Sequence, residues 1–219
     1  MGATNKLIDL RKLLAERFPH PAPAPASTLP TRITFLDQTI GGGFPKSAIT
    51  ELITPKLSAG SASLIHALLL SAQRDRHFIA LIDGSDSFDP GSSDNSALQH
   101  LLWVRCRKAF DAIKAADFLL RDGNFPLVIV DLVLNSADEL RKIPQTSWYR
   151  LQRLVEAVPT ACLIMNRQSV VASAQLKIVL DNSWSLSDLE KENAISNLRF
   201  EVQRSHLKSL VTRHVSLVT

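Results

Sequence analysis

Residues 51–63 read Glu-Leu-Ile-Thr-Pro-Lys-Leu-Ser-Ala-Gly-Ser-Ala-Ser: a short apolar run, a hydroxyl-rich turn with one glycine, and the opening of a helical stretch. That setting is where a phosphate-binding loop belongs. Such a loop reads G-x-x-x-x-G-K-[ST]. Its glycines let backbone N–H groups approach phosphates, its lysine reaches the β- and γ-phosphates, and its hydroxyl holds magnesium. Here Thr54 stands at the first glycine, and one extra residue precedes Gly60. Ser61 and Ala62 stand where lysine and serine or threonine belong, with Ser63 following. The spacing is that of nucleotide chemistry, and the residue types withhold it. What 58–63 retains is a set of donors at a helix N-terminus. The turn therefore reads as a helix cap, and the expectation is that no cofactor is bound, ATP included.

The other chemistry-bearing residues form no second constellation. Asp131 closes the apolar stretch 126–130; by itself an aspartate there is a turn or capping residue. The six histidines show no ligand spacing, so no metal site is expected. No G-x-S-x-G elbow supports a serine nucleophile. Cys106 and Cys162 lie far apart in apolar surroundings and read as buried thiols of a reducing compartment. Trp103, Trp148 and Trp184 read as core or rim packing rather than base-stacking platforms. The acidic stretch 83–94 reads as a solvated loop.

The elements that must position these residues follow from periodicity. In 6–18, Leu7, Leu10, Leu13 and Leu14 recur at helical spacing, an amphipathic helix. A Pro-Ala-rich linker follows to residue 30, where helix cannot continue. Short apolar strands are expected at 49–53, 78–83, 101–105, 126–130 and 161–165, with further strands at 178–180 and 198–203. Helices are expected at 63–71, 109–121 and 146–158. Continuously apolar strands alternating with helices indicate a mostly parallel sheet covered on both faces, with an antiparallel edge toward the C-terminus. The expected organisation is an N-terminal helix (1–18), a linker (19–30), an α/β core (31–205) and a basic amphipathic tail (206–219). In 198–219, Arg199, Arg204, Lys208 and Arg213 face Glu201 alone, with Leu207, Leu210, Val211, Val215 and Leu217 interleaved. That pattern suits either a docking segment or a last strand and helix packed on the core.

With 219 residues and 45% hydrophobic composition, the chain suits one medium domain with a full core. The formal net charge of +4 permits an acidic protein or nucleic-acid partner without specifying either. The apolar runs are too short to span a bilayer, and 1–18 is charged and periodic rather than leader-like. A cytoplasmic protein without a membrane association is expected.

Five pieces in order resemble the RecA-like ATPase core over about residues 28–205. They are Leu36-Asp37 with Gly-Gly-Gly-Phe-Pro-Lys at 41–46, Thr50-Glu51-Leu52, the loop at 54–63, Leu81-Ile82-Asp83-Gly84-Ser85-Asp86-Ser87-Phe88-Asp89-Pro90, and Leu127-Val128-Ile129-Val130-Asp131. The resemblance implies a twisted, mostly parallel sheet with helices on both faces. It places Asp131 at the Walker B position, and it puts Ser85 where the family has a water-orienting glutamate. With Ser61 at the lysine position, two independent chemical groups are lost, so a degenerate, non-hydrolytic ATPase is implied. The DNA-binding loop expected after strand 161–165 is cut to 166–175, leaving Arg167, Gln168 and Lys177 as phosphate-contact candidates.

Leu101-Leu102-Trp103-Val104-Arg105 and the helix Tyr149-Arg150-Leu151-Gln152-Arg153-Leu154-Val155-Glu156-Ala157 look like the ImuA-type (SulA/ImuA) members. That resemblance implies an accessory protein of damage-induced translesion synthesis. Its partners would be an inactive Y-family polymerase homologue of the ImuB type and an error-prone C-family polymerase, with RecA and DNA as further contacts. Two alternatives stand beside it: an ATP-dependent recombinase paralogue in which Lys56 supplies the missing charge, and a SulA-like cell-division inhibitor.

Overall fold

The computed structural model describes residues 27–57, 59–182 and 198–205, with backbone alone at 204–205. The expected N-terminal helix, most of the linker, Ser58, Trp184 and the tail 206–219 with Lys208 and Arg213 lie outside the described residues.

Seven strands form the main sheet: β3 (Ala48–Ile53), β4 (Ile79–Asp83), β5 (Leu101–Arg105), β6 (Leu127–Asp131), β7 (Ala161–Asn166), β8 (Leu176–Leu180) and β9 (Phe200–Ser205). Their order is β5-β4-β6-β7-β3-β8-β9. All neighbours run parallel except β9, which pairs antiparallel with β8. A small antiparallel ribbon of β1 (Thr28–Leu29) and β2 (Phe44–Pro45) precedes the sheet. The α/β class and the antiparallel edge are as the sequence indicates.

The strands are apolar at successive positions because both faces are covered. Ile79, Leu81, Leu127 and Ile129 face helices α1 (Thr34–Ile40) and α2 (Ser61–Arg74). Ala80, Ile82, Val128 and Val130 face α4 (Ala109–Asp122) and α6 (Gln145–Glu156). Side chains alternate across a strand, so a parallel sheet between two helical layers needs both alternates apolar.

Three short helices escape the periodicity: α1, α3 (Asn95–Leu98) and α5 (Ala137–Arg141). Each is too short to display a repeating apolar stripe. In α1 the Asp37 carboxylate reaches back to accept from Thr31 N, Thr31 Oγ1 and Arg32 N at 2.9, 2.7 and 3.1 Å. In α5 the start is a capping pair: Ser136 Oγ accepts from Glu139 N at 3.2 Å. Helix α2 also begins two residues before its expected start, because Gly60 adopts φ 96° and serves as the N-cap.

Candidate functional site

The loop after β3, Ser85 and Asp131 sit at the carboxyl end of the parallel sheet, where such sheets bind ligands, whereas Lys177 lies near the start of β8, opposite Arg204. The loop after β3 is closed onto the sheet. Thr54 is fully buried and extends the ladder past β3, donating from N (2.8 Å) and Oγ1 (3.2 Å) to Asn166 O. A glycine here would leave the backbone open to a ligand; the threonine side chain fills that space. Ala59 is also buried, and its carbonyl accepts from Asn182 Nδ2 at 3.2 Å. Asn182 Oδ1 in turn accepts from Arg199 N at 3.0 Å, so one buried amide ties the loop to the start of β9. Gly60, Ser61, Ala62 and Ser63 then open α2. Lys56, the substitute cation of the ATP-dependent alternative, points toward β8 instead, pairing with Asp181 at 3.0 Å in an exposed ion pair. Such pairs contribute under about 1 kcal/mol, so this one holds the lysine only loosely.

Asp83 and Asp131 are register partners at the ends of β4 and β6. Asp83 is buried and its carboxylate accepts from Ser87 N and Phe88 N at 2.7 Å each, and from Ser85 N at 3.2 Å. It therefore folds the turn that carries Ser85. Asp131 Oδ1 accepts from Val133 N at 3.0 Å. Burial first, and the neighbouring Asp83 charge as well, push the Asp131 carboxyl up to about 6, against the pull of the Val133 amide. Ser85 offers only a hydroxyl, 3.4 Å from Ser87 Oγ, and cannot take a proton from water as a carboxylate can. The fold thus brings Ser85, in the turn after β4, beside Asp131 at the end of the adjacent β6, while β7 lies between β6 and the loop-bearing β3.

Glu51 is the residue whose role the sequence does not disclose. It lies mid-strand in β3, fully buried. Its carboxylate accepts from Val170 N (2.7 Å), Val171 N (2.9 Å), Ser169 Oγ (3.0 Å) and Asn166 Nδ2 (3.2 Å), and it pairs with Lys177 Nζ at 2.6 Å. The loop between β7 and β8 is therefore pinned from beneath. Lys177 is consumed in this network, also donating to Ser169 Oγ at 2.6 Å, so its charge is already neutralised. Arg167 is exposed on the same loop. Arg199 is exposed beside Asn182, and Arg204 lies in β9. The only sequence signal for Glu51 is a carboxylate inside an apolar strand, which must find partners when buried.

The acidic stretch after β4 is structured by its own acids rather than simply solvated. Asp86 holds Arg105 through bonds of 2.6 and 2.9 Å. Asp89 accepts from Gly91 N at 2.9 Å, whereas Asp94 caps α3 only through its backbone carbonyl, which accepts from Ala97 N and Leu98 N. Half-buried Trp103 meets Phe88 edge-on at 5.4 Å and carries the Arg105 guanidinium 4.9 Å from its ring centre. Trp148 is core. Among the described residues, no three His, Cys, Asp or Glu side chains are grouped to hold a metal ion, and no helix is long and apolar enough to cross a membrane.

Residues 22–141 match the RecA N-terminal domain family. Among curated relatives, Protein RecA of Nocardioides sp. (strain ATCC BAA-499 / JS614) is 31% identical over 113 residues, 50% of this chain and 32% of that protein. Protein RecA of Picosynechococcus sp. (strain ATCC 27264 / PCC 7002 / PR-6) is 30% identical over 109 residues, 49% of this chain and 31% of that protein. Protein RecA of Clavibacter michiganensis subsp. michiganensis (strain NCPPB 382) is 32% identical over 113 residues, 50% of this chain and 31% of that protein. The chain spans about a third of the length of the curated relatives it matches.

Proposed function

The chain belongs to the RecA N-terminal domain family, and from that premise we propose that it is a non-hydrolytic, RecA-like scaffold acting through protein contacts in damage-induced translesion synthesis. One observation carries the reading: the loop that would cradle phosphates is tied to the sheet at Thr54 and Ala59 and lacks both the cation and the magnesium ligand. Thr54 bonds Asn166, the Ala59 carbonyl bonds Asn182, and Ser61 and Ala62 occupy the positions of the charge and the magnesium ligand. Loss of the lysine removes the cation that stabilises a transferred phosphoryl group, and loss of the glutamate at Ser85 removes the group that orients water. The sheet and both helical layers are kept, and what such a body offers is surface.

The partners in this reading are an inactive Y-family polymerase homologue of the ImuB type and an error-prone C-family polymerase, with RecA and DNA as secondary contacts in the cytoplasm. Co-expression with the polymerase homologue tests it. The full chain is expected to co-purify with that partner and to release no phosphate from ATP above the buffer rate. Removal of 206–219 is expected to abolish co-purification. ATP turnover that disappears in Asp131→Ala would overturn the reading in favour of an ATP-dependent recombinase paralogue.

A further inference from the structure

A cleft of about 520 Å³ opens between the loop that leads into α6 and the Glu51-pinned loop between β7 and β8. Its volume lies within the ~300–1,000 Å³ typical of ligand clefts. We propose that this cleft docks a partner protein segment in which acidic residues flank apolar ones. The proposal rests on the scaffold reading above and supplies it with a contact site inside the core.

Four features carry it. First, the accessible apolar lining is half-buried Val170 and exposed Ala172, above the buried side chains of Leu140 and Ile143, a seat for a small apolar contact. Second, the polar lining is biased toward donors. Arg141 lines the cleft with the amides of Gln145 and Gln168. The next residues along the chain, Lys142 and Arg167, form no ion pair among the described residues and are exposed. Among the described residues that line the cleft there is no acid, and Glu51, beneath the β7–β8 loop, is buried and paired with Lys177. Third, Arg141 is held by Asp138 at 2.6 Å in a pair whose side chains are 69% and 78% exposed. So exposed a pair is weak, and an incoming carboxylate can replace Asp138 at little cost. Fourth, the wall is pre-formed: Glu51 fixes Ser169, Val170 and Val171 by side-chain and backbone bonds. Binding therefore orders little of the protein, which favours affinity from a small contact.

Nucleic acid fits less well. Trp148 lines the cleft but is only 1% exposed, so its ring face is closed to a stacking base. A phosphate backbone would also find Lys177 already neutralised.

Fluorescence anisotropy with the full chain tests this using three labelled probes. They are a dodecapeptide alternating Asp or Glu with Leu or Phe, the same peptide with Asn and Gln in place of the acids, and a single-stranded oligo-dT. The acidic peptide is expected to bind on the order of tenfold more tightly than its neutral counterpart. The double variant Arg141→Glu/Gln168→Glu alters only surface side chains. It is expected to weaken the acidic peptide by a similar factor while its melting temperature stays unchanged. Photo-leucine in the peptide is expected to cross-link within 140–145 and 168–172. Equal binding of the two peptides, or an undiminished affinity in the double variant, overturns the proposal. So does oligo-dT that displaces the peptide and itself loses affinity in the double variant, which would make the cleft a nucleic-acid site. If the polymerase homologue co-purifies undiminished with the double variant, the cleft falls and the scaffold reading stands. If the intact chain retains no such partner, the scaffold reading falls, and the cleft with it.

Discussion

Asp131 and Glu51 are both carboxylates at least partly withdrawn from water, and they respond to that in opposite ways. Asp131 has one backbone donor and an acidic neighbour, so its folded-state carboxyl holds its proton up to about pH 6. In the unfolded chain the same group releases its proton near its ordinary value of 3.8. The folded state thus binds the extra proton between those values, and the stability this gives at low pH is lost as pH rises through about 6. Asp131→Asn, which keeps an acceptor for Val133 N, is expected to melt higher than the parent at pH 7.5. The gain should be on the order of 3 kcal/mol and should vanish below about pH 4; thermal melts across that range check it. Equal melting at pH 7.5 would mean the charge is already compensated. Glu51, by contrast, is surrounded by donors and Lys177. Glu51→Gln leaves the lysine charge buried without its counter-ion, at a cost of about 3–5 kcal/mol. Chemical denaturation should register that loss, and hydrogen exchange should quicken at the Val170 and Val171 amides. Unchanged exchange there would show the loop to be held by something else.

At the scale of elements, the turns at the carboxyl ends of β3 and β4 decide what the candidate site can do. Gly60 ends the β3 loop at φ 96° and launches α2, which is cap geometry. Gly84 follows β4 with no room for a side chain. A Cβ there would lie 2.4 Å from Asn135 Oδ1, 2.7 Å from Leu132 Cδ2 and 2.8 Å from Asp131 O. Gly84→Ala is therefore expected to destabilise by roughly 1–3 kcal/mol, measured by urea unfolding. An effect below a few tenths would indicate that the turn shifts freely. The legibility of elements follows their length. The fourteen-residue helices α2 and α4 announce themselves by periodicity. The five-residue α5 is announced only by Ser136 and Glu139, a capping pair that could have been read from the sequence. The seven-residue α1 offers neither, since its stabilising carboxylate, Asp37, caps residues that precede the helix.

For the whole molecule, the central prediction concerns linkage to nucleotide. A ligand at a hundred times its dissociation constant stabilises by about 2.7 kcal/mol, a shift of several degrees for a chain of this size. Magnesium-ATP at about 1 mM is expected to leave the melting temperature unchanged, because Ser61 stands at the lysine position and Thr54, at the first glycine position, is bonded to Asn166. A rise of several degrees in differential scanning fluorimetry would restore a nucleotide site to this scaffold. The sheet itself is not predicted to depend on ligand: its two helical layers close both faces with apolar side chains.

The sequence by itself determined the fold class and the residue types at the loop positions. Largely apolar strands between amphipathic helices point to a covered parallel sheet, and residue types at 54, 61, 62 and 85 are local facts that need no fold to read. Tertiary structure alone decided which distant residues meet around the site. Glu51 meets Val170 across 119 residues, and Asn182 meets Ala59 across 123. Asp83 meets Asp131 only because β4 and β6 are neighbours. Strand order sets all three contacts. Continuously apolar strands carry almost no record of their neighbours, since each presents the same surface to either side.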